Sequence, residues 1–318
     1  MQWFEQSGLL LASLIVLASA VLTGATLLLS TQAIQWRPQR ARVVDVALVI
    51  ATALCLLLFR AAIKDAMFVG FVVGWLLVVI GHVTKIPSLR IGLPLLGAAC
   101  FGYGVFVSVE SQSLAIAMGL LAALTCVALP RVWTRLNHSP GLSIVSAIVV
   151  FAACVMLAGG FWIPFALCMV AVCLGILPWT FPRDIVSLGS LGASSLGYIV
   201  AGVSIAMLSW MPTPDATLKP GWLLVRNLAL VSLPLMPSLV DATVRVAGQP
   251  FTQLIVSTLG ASRAVVVQFL LSAAGLLLML WLWPRDHSFV LWVTAGWIAL
   301  LLAMRLLYAV LRGAGSRK

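Results

Sequence analysis

The stretch Ala66-Met-Phe-Val-Gly-Phe-Val-Val-Gly-Trp-Leu-Leu-Val-Val-Ile-Gly-His-Val83 contains no Asp, Glu, Lys or Arg. A helix of roughly 20 such residues is long enough to cross the hydrocarbon core of a bilayer. A basic segment follows, with Lys85 and Arg90 on either side of Pro87, and a second apolar run begins near residue 92. This alternation of long apolar run and short polar break fills the 318-residue chain, of which 63% is apolar and 8% charged. Mean hydropathy is +1.16. An average soluble domain is about 45–50% apolar and about 25% charged. A particle in water cannot hide this much apolar surface. The composition excludes a soluble enzyme, a nucleic-acid-binding domain and a disordered tail, and it predicts a polytopic integral membrane protein.

Eleven stretches are long enough to span, at about 7–30, 44–60, 66–83, 92–109, 112–130, 142–159, 161–178, 187–210, 221–244, 263–283 and 288–310. The narrowest break is Ala158-Gly159-Gly160. The ninth stretch carries Arg226, Pro234 and Pro237, and is expected to be kinked or broken. No alternating ten-residue pattern suggests a barrel. The expected fold is therefore all-α, one transmembrane domain over 1–318. The first stretch has no basic segment before it and no cleavage motif, so it is expected to be retained.

The chain holds 19 Lys and Arg against 8 Asp and Glu, a net charge of +11. With the N-terminus outside and the C-terminus inside, fourteen of the basic residues fall on the inner side, among them Arg37, Arg40, Arg42, Lys85, Arg90, Arg131, Arg135 and Arg305. Such a bias is the positive-inside signature, and a miscounted span would scramble it. Arg226 is expected to snorkel to the outer interface. Asp241 is expected to pair with Arg245 one helical turn on. The basic inner face is expected to attract anionic lipid.

Candidate chemistry is sparse. The six cysteines all fall inside apolar stretches and read as small apolar residues. His82, His138 and His287 lie far apart, without metal-ligand neighbours, and no two acids form a catalytic pair. Trp3, Trp36, Trp179, Trp210, Trp222 and Trp283 stand near span ends, as an interfacial belt does. Small residues at i,i+4, Gly70/Gly74 and Gly189/Ala193/Gly197, are expected to let helices approach closely, within the chain or across a dimer seam.

Four segments together carry a resemblance. They are Leu177-Pro-Trp-Thr-Phe-Pro-Arg-Asp-Ile-Val-Ser-Leu-Gly-Ser-Leu-Gly-Ala-Ser-Ser-Leu-Gly197, Pro237-Ser-Leu-Val-Asp-Ala-Thr-Val-Arg245 with Gly248-Gln-Pro-Phe251, Leu259-Gly-Ala-Ser-Arg-Ala-Val265, and Pro87-Ser-Leu-Arg90. In order and spacing, over roughly 80–270, they resemble the polyprenyl-phosphate N-acetylhexosamine-1-phosphate transferases of glycosyltransferase family 4. The resemblance implies an MraY/WecA-like bundle of eleven helices, N outside and C inside, in a bacterial inner membrane. It also implies chemistry in which carboxylates hold Mg²⁺ against a nucleotide-sugar pyrophosphate.

The departures from that pattern decide the expected function. Thr84-Lys85 stand where the family has Asp-Asp. Asn137 stands near its catalytic Asp, and Ser190 replaces the Asp between Gly189 and Gly192. No histidine lies between Phe251 and Arg263. Of the polar groups only Asp241 remains recognisable. Thr84, Lys85, Asn137, Ser190 and Asp241 are thus vestigial-site positions, with no metal site and no cofactor expected. Arg37, Arg40, Arg42, Arg131 and Arg135 are candidates to hold a lipid phosphate. The leading expectation is a catalytically inactive relative that binds a polyprenyl phosphate carrier, or acts as a scaffold subunit or homodimer in envelope-polysaccharide assembly. Two alternatives stay open. One is an active transferase with Mg²⁺ on Asp241 and Asp184; the other is a transporter or lipid flippase. The topology has a direct check: alkaline phosphatase fused after Pro214 is expected to be active and fused after Ser139 inactive, and the reverse pattern overturns the orientation.

Overall fold

The computed structural model describes residues 37–58, 65–84, 86–137, 141–181, 188–210, 219–243, 245–246, 249–250, 256 and 260–315. The first expected span, 7–30, lies outside them. Ten helices are described: α1 (Arg37–Leu58), α2 (Ala66–Val83), α3 (Pro87–Ser108), α4 (Gln112–Leu136), α5 (Leu142–Leu157), α6 (Trp162–Thr180), α7 (Ser190–Trp210), α8 (Pro220–Thr243), α9 (Ala261–Leu282) and α10 (His287–Gly315). Between α8 and α9, Arg245–Val246 and Gln249–Pro250 pair as two short antiparallel strands, β1 and β2. Seven of the helices are long and apolar enough to cross a membrane, namely α2, α3, α4, α7, α8, α9 and α10. Apolar runs in α1, α5 and α6 are shorter, at Val44–Leu57, Leu142–Leu157 and Trp162–Pro178. Each helix falls on one of the last ten sequence stretches. The chain is all-helical apart from the short hairpin, and its seven long apolar helices make it a multi-pass membrane protein.

Helix α7 is the axis of the bundle. Every residue from Gly192 through Leu208 is buried, and α1, α2, α4 and α5 pack around it. A helix with no solvent or lipid face needs side chains that admit neighbours on all sides, and Gly, Ser and Ala supply that here. At Gly197 the fit leaves no room for a side chain, since a Cβ there would lie 2.7 Å from Pro130 Cα of α4. Helices α2 and α3 meet along Gly70, Gly74, Gly97 and Gly104. A Cβ on Gly74 would stand 2.5 Å from the Gly97 carbonyl oxygen. The Gly70/Gly74 pair is therefore used within the chain. Beside this seam, Phe71 is enclosed by the rings of Phe101, Trp162, Phe165 and Tyr198, at centroid distances of 5.3–5.8 Å.

Two expectations are corrected. Of the two outcomes expected for α8, a kink or a break, the break is absent: the helix runs through both Pro234 and Pro237. Each proline leaves a carbonyl one turn back without its helical N–H partner. Gly275 of α9 packs against one of them, on Leu233. Arg226 does not reach an interface: it is 1% exposed. Its Nη1 donates to Asn227 Oδ1 at 3.2 Å, and its Nη2 donates to the backbone oxygens of Trp283 and Arg285. A guanidinium at the end of α9 satisfies carbonyls that the helix itself cannot, and it complements the negative end of the helix dipole. The narrow break at 158–160 is where the sequence places it, with Gly160 at φ +61° between α5 and α6.

The α2–α3 seam makes a direct prediction. Gly74→Val places methyl groups into the Gly97 backbone and the Tyr198 hydroxyl. Overpacking of this kind costs roughly 1–3 kcal/mol. The purified variant is expected to unfold at a lower temperature in detergent, whereas Gly296→Val in α10, where a Cβ meets nothing within 4 Å, leaves the midpoint unchanged.

Candidate functional site

Four helix ends enclose a groove of about 550 Å³ lined by Val78 and His82 of α2, Arg90, Ile91, Pro94 and Leu95 of α3, Cys126, Val127, Pro130, Arg131 and Thr134 of α4, and Ser190 and Ser194 of α7. Two glycine–proline contacts set its shape. Gly197 lies on Pro130, and a Cβ on Gly81 of α2 would meet Pro94 Cδ of α3 at 2.8 Å. These contacts draw α2 to α3 and α4 to α7, so the polar ends of all four face one space.

At the groove wall His82 Nδ1 lies 3.1 Å from the Val78 carbonyl oxygen. A carbonyl only accepts, so Nδ1 carries the proton and Nε2 is left as an acceptor. The Ser194 hydroxyl, 2.9 Å away, donates to Nε2. Arg90 and Arg131 are exposed at the mouth. Neither has a carboxylate within ion-pair distance among the described residues, where the one ion pair is Asp241–Arg305. The groove is thus cationic and hydroxylated at one end and apolar along Val78, Ile91, Leu95 and Val127.

Among the described residues, the two buried carboxylates are engaged elsewhere. Asp45 of α1 is 6% exposed and accepts from the Gly189 backbone N–H at 2.7 Å. The backbone amides of Leu191 and Gly192 also donate to it. Asp45 therefore serves as an N-cap for α7 supplied from another helix, satisfying amides that begin a helix without partners. Asp241 is 2% exposed, and the cation that meets it among the described residues is Arg305; the Arg245 side chain expected to pair with it lies outside them. Arg305 of α10 donates to Asp241 Oδ1 through Nε at 2.9 Å and Nη2 at 2.6 Å. Arg305 is consequently a buried member of α10, not a free inner-face cation. The Gln268 amide nitrogen meets Asp241 Oδ2 at 2.7 Å and its oxygen accepts from Ser238 Oγ at 2.9 Å, which lies 2.8 Å from Ser146 Oγ.

The sequence-derived site residues are thus divided. Ser190 and Arg131 line the groove. Asn137 sits close to it, its Nδ2 donating to the Leu188 carbonyl just before α7. Thr84 turns back on its own helix, its hydroxyl donating to the Ile80 and Gly81 carbonyls. Arg135 is exposed on α4 and does not line the groove. Asp241 belongs to the separate α5–α8–α9–α10 network. Lys85, Asp184 and the side chains of Arg37, Arg40 and Arg42 lie outside the described residues. Sequence reasoning missed His82, Ser194 and Arg90 as groove residues. The signal available was that Gly81-His82 and Arg90 flank the Thr84-Lys85 position, and Ser194 lies one turn after Ser190.

The Asp241 network is testable. Removing one partner of a buried pair costs about 3–5 kcal/mol, because the other charge is left uncompensated. Asp241→Leu is expected to lower thermal stability sharply. Asp241→Leu combined with Arg305→Met is expected to recover most of the loss, and an additive double variant would refute the pairing. No known protein family matches this chain, and no curated protein matches it significantly.

Proposed function

We propose that this protein is a catalytically inactive relative of the polyprenyl-phosphate sugar-1-phosphate transferases. It holds a lipid-carrier phosphate as a binding or scaffold subunit of envelope-polysaccharide assembly. It resides in a bacterial cytoplasmic membrane with eleven spans, N outside and C inside. The observation that carries this reading is the groove at the ends of α2, α3, α4 and α7, where Arg90 and Arg131 have no carboxylate partner among the described residues and stand beside Ser190, Thr134 and the His82–Ser194 pair. A phosphate monoester meets there two guanidinium donors and several hydroxyls, and its hydrocarbon tail meets Ile91, Leu95 and Val127. Charge-assisted hydrogen bonds from Arg to phosphate are the strong kind.

These residues do not fit Mg²⁺. A hard divalent cation needs anionic oxygens, and the groove offers two cations and neutral hydroxyls instead. Asp45 and Asp241 cannot turn to it without exposing the α7 amides or orphaning Arg305. Phosphate held by arginine alone is a binding site, not a transfer site.

The experiment is binding and turnover on one preparation. Undecaprenyl phosphate retained by the full chain in nanodiscs is expected to fall at least tenfold in Arg90→Gln/Arg131→Gln. UMP release from UDP-sugars with Mg²⁺ is expected to stay at background. Retention unchanged by the double variant would remove the groove from the argument, and UMP release above background would overturn the inactive reading.

A further inference from the structure

At the opposite end of the bundle lies a second cavity of about 510 Å³, between the start of α2, the end of α3, the start of α4, the end of α7 and the start of α8. Its polar lining is Asp65, Ser108, Ser209 and Asn227, and its apolar lining includes Met118, Leu208, Leu224 and Trp210. Among the described residues that line it, Asp65 is the one charged side chain, in contrast to the arginine-lined groove.

Its hydrogen-bonding capacity is incompletely used. Asp65 Oδ1 accepts from the Met67 N–H at 2.9 Å as the N-cap of α2, and among the described residues Oδ2 has no donor. Ser108 and Ser209 spend their hydroxyl protons on the carbonyls of Gly104 and Ile205, so their oxygens remain acceptors. Asn227 is 3% exposed. Its Oδ1 is taken by Arg226, while its Nδ2 has no acceptor among the described residues. A buried amide donor thus stands at the wall of a cavity whose other polar groups accept. Trp210 completes the set. Its six-membered ring lies against Gly159 and Gly160, where a side chain on Gly159 would collide with it, yet the residue is half exposed and lines the cavity. An indole fixed on one side and open on the other is a platform.

We propose that this cavity binds the glycosyl headgroup of an amphiphile. A sugar presents hydroxyl donors to Asp65, Ser108 and Ser209, a hydroxyl acceptor to Asn227, and an apolar C–H face to the indole. The few polar groups fix orientation while the apolar wall of Met118, Leu208 and Leu224 receives the aglycone. A quaternary ammonium would call for an aromatic cage, and one tryptophan does not form one. The site is separate from the phosphate groove, so either can fail alone.

The test uses the full chain in a polyoxyethylene detergent and native mass spectrometry with three probes of equal chain length: octyl β-glucoside, octyl phosphate and octylamine. One saturable octyl glucoside is expected. Its occupancy is expected to drop at least fivefold in Trp210→Leu and in Asp65→Asn, a change that keeps the helix cap, and to be unaltered in Arg90→Gln/Arg131→Gln. Equal occupancy by the three probes, preference for octylamine or octyl phosphate, or insensitivity to Asp65→Asn would overturn the proposal.

Discussion

The carboxylate of Asp45 on the N-terminal amides of α7 is the contact on which the arrangement depends. A helix surrounded by other helices cannot turn its first N–H groups to water. Left unpaired, each such group costs of the order of 1–3 kcal/mol. Asp45 arrives from α1 and settles the problem in one stroke, since a carboxylate both accepts several bonds and complements the positive end of the dipole. Gly189 and Gly192 leave it the space, for a Cβ on either would collide with the carboxylate. With α7 held at that end, its faces set the positions of α2 and α4, and with them the groove.

The same requirement governs the other buried charges. Asp241 and Arg305 neutralise each other with Gln268 and Ser238 filling the remaining valences, and Arg226 spends its guanidinium on helix-end carbonyls. An apolar surrounding penalises an unpaired ion by several kcal/mol or more, so these residues are tied down wherever the bundle closes over them. Arg90 and Arg131 escape the rule because they lie exposed at the groove mouth. That contrast gives the groove its character: its cations are available because they are not structural.

Apolar run length alone located all ten described helices, including the turn at Gly159-Gly160, because the cost of unsatisfied backbone in lipid makes span length the dominant signal. What the sequence hid was partnership across distance. Asp241 has Arg245 at a helical spacing, but its buried cation comes from α10, 64 residues on. Asp45 looks like one more inner acid until α7 is seen to begin beneath it. Arg226 looks like a snorkelling residue until the end of α9 appears beside it. Within the groove, Ser190 was legible from a motif-like segment and Arg131 from the basic bias of the inner side, whereas the roles of His82 and Ser194 were not. Neither stands out in its own helix, and the contact between them joins residues 112 positions apart in the chain. Asn227 and Trp210 were equally silent, one reading as a polar residue in a span and the other as part of an aromatic belt.

The two cavities differ in a way that composition cannot show. Among the described lining residues, one cavity has arginines and no acid and the other a carboxylate and no cation, although the chain as a whole is strongly basic. Between them stand Phe71, Phe101, Tyr198 and Trp75, the last bonded through Nε1 to Ser195 Oγ at 2.7 Å, together with the glycine seam of α2 and α3. Along that seam a single methyl group at Gly74 would not fit, so the close approach of α2 and α3 that stands between the two cavities depends on glycine at that position.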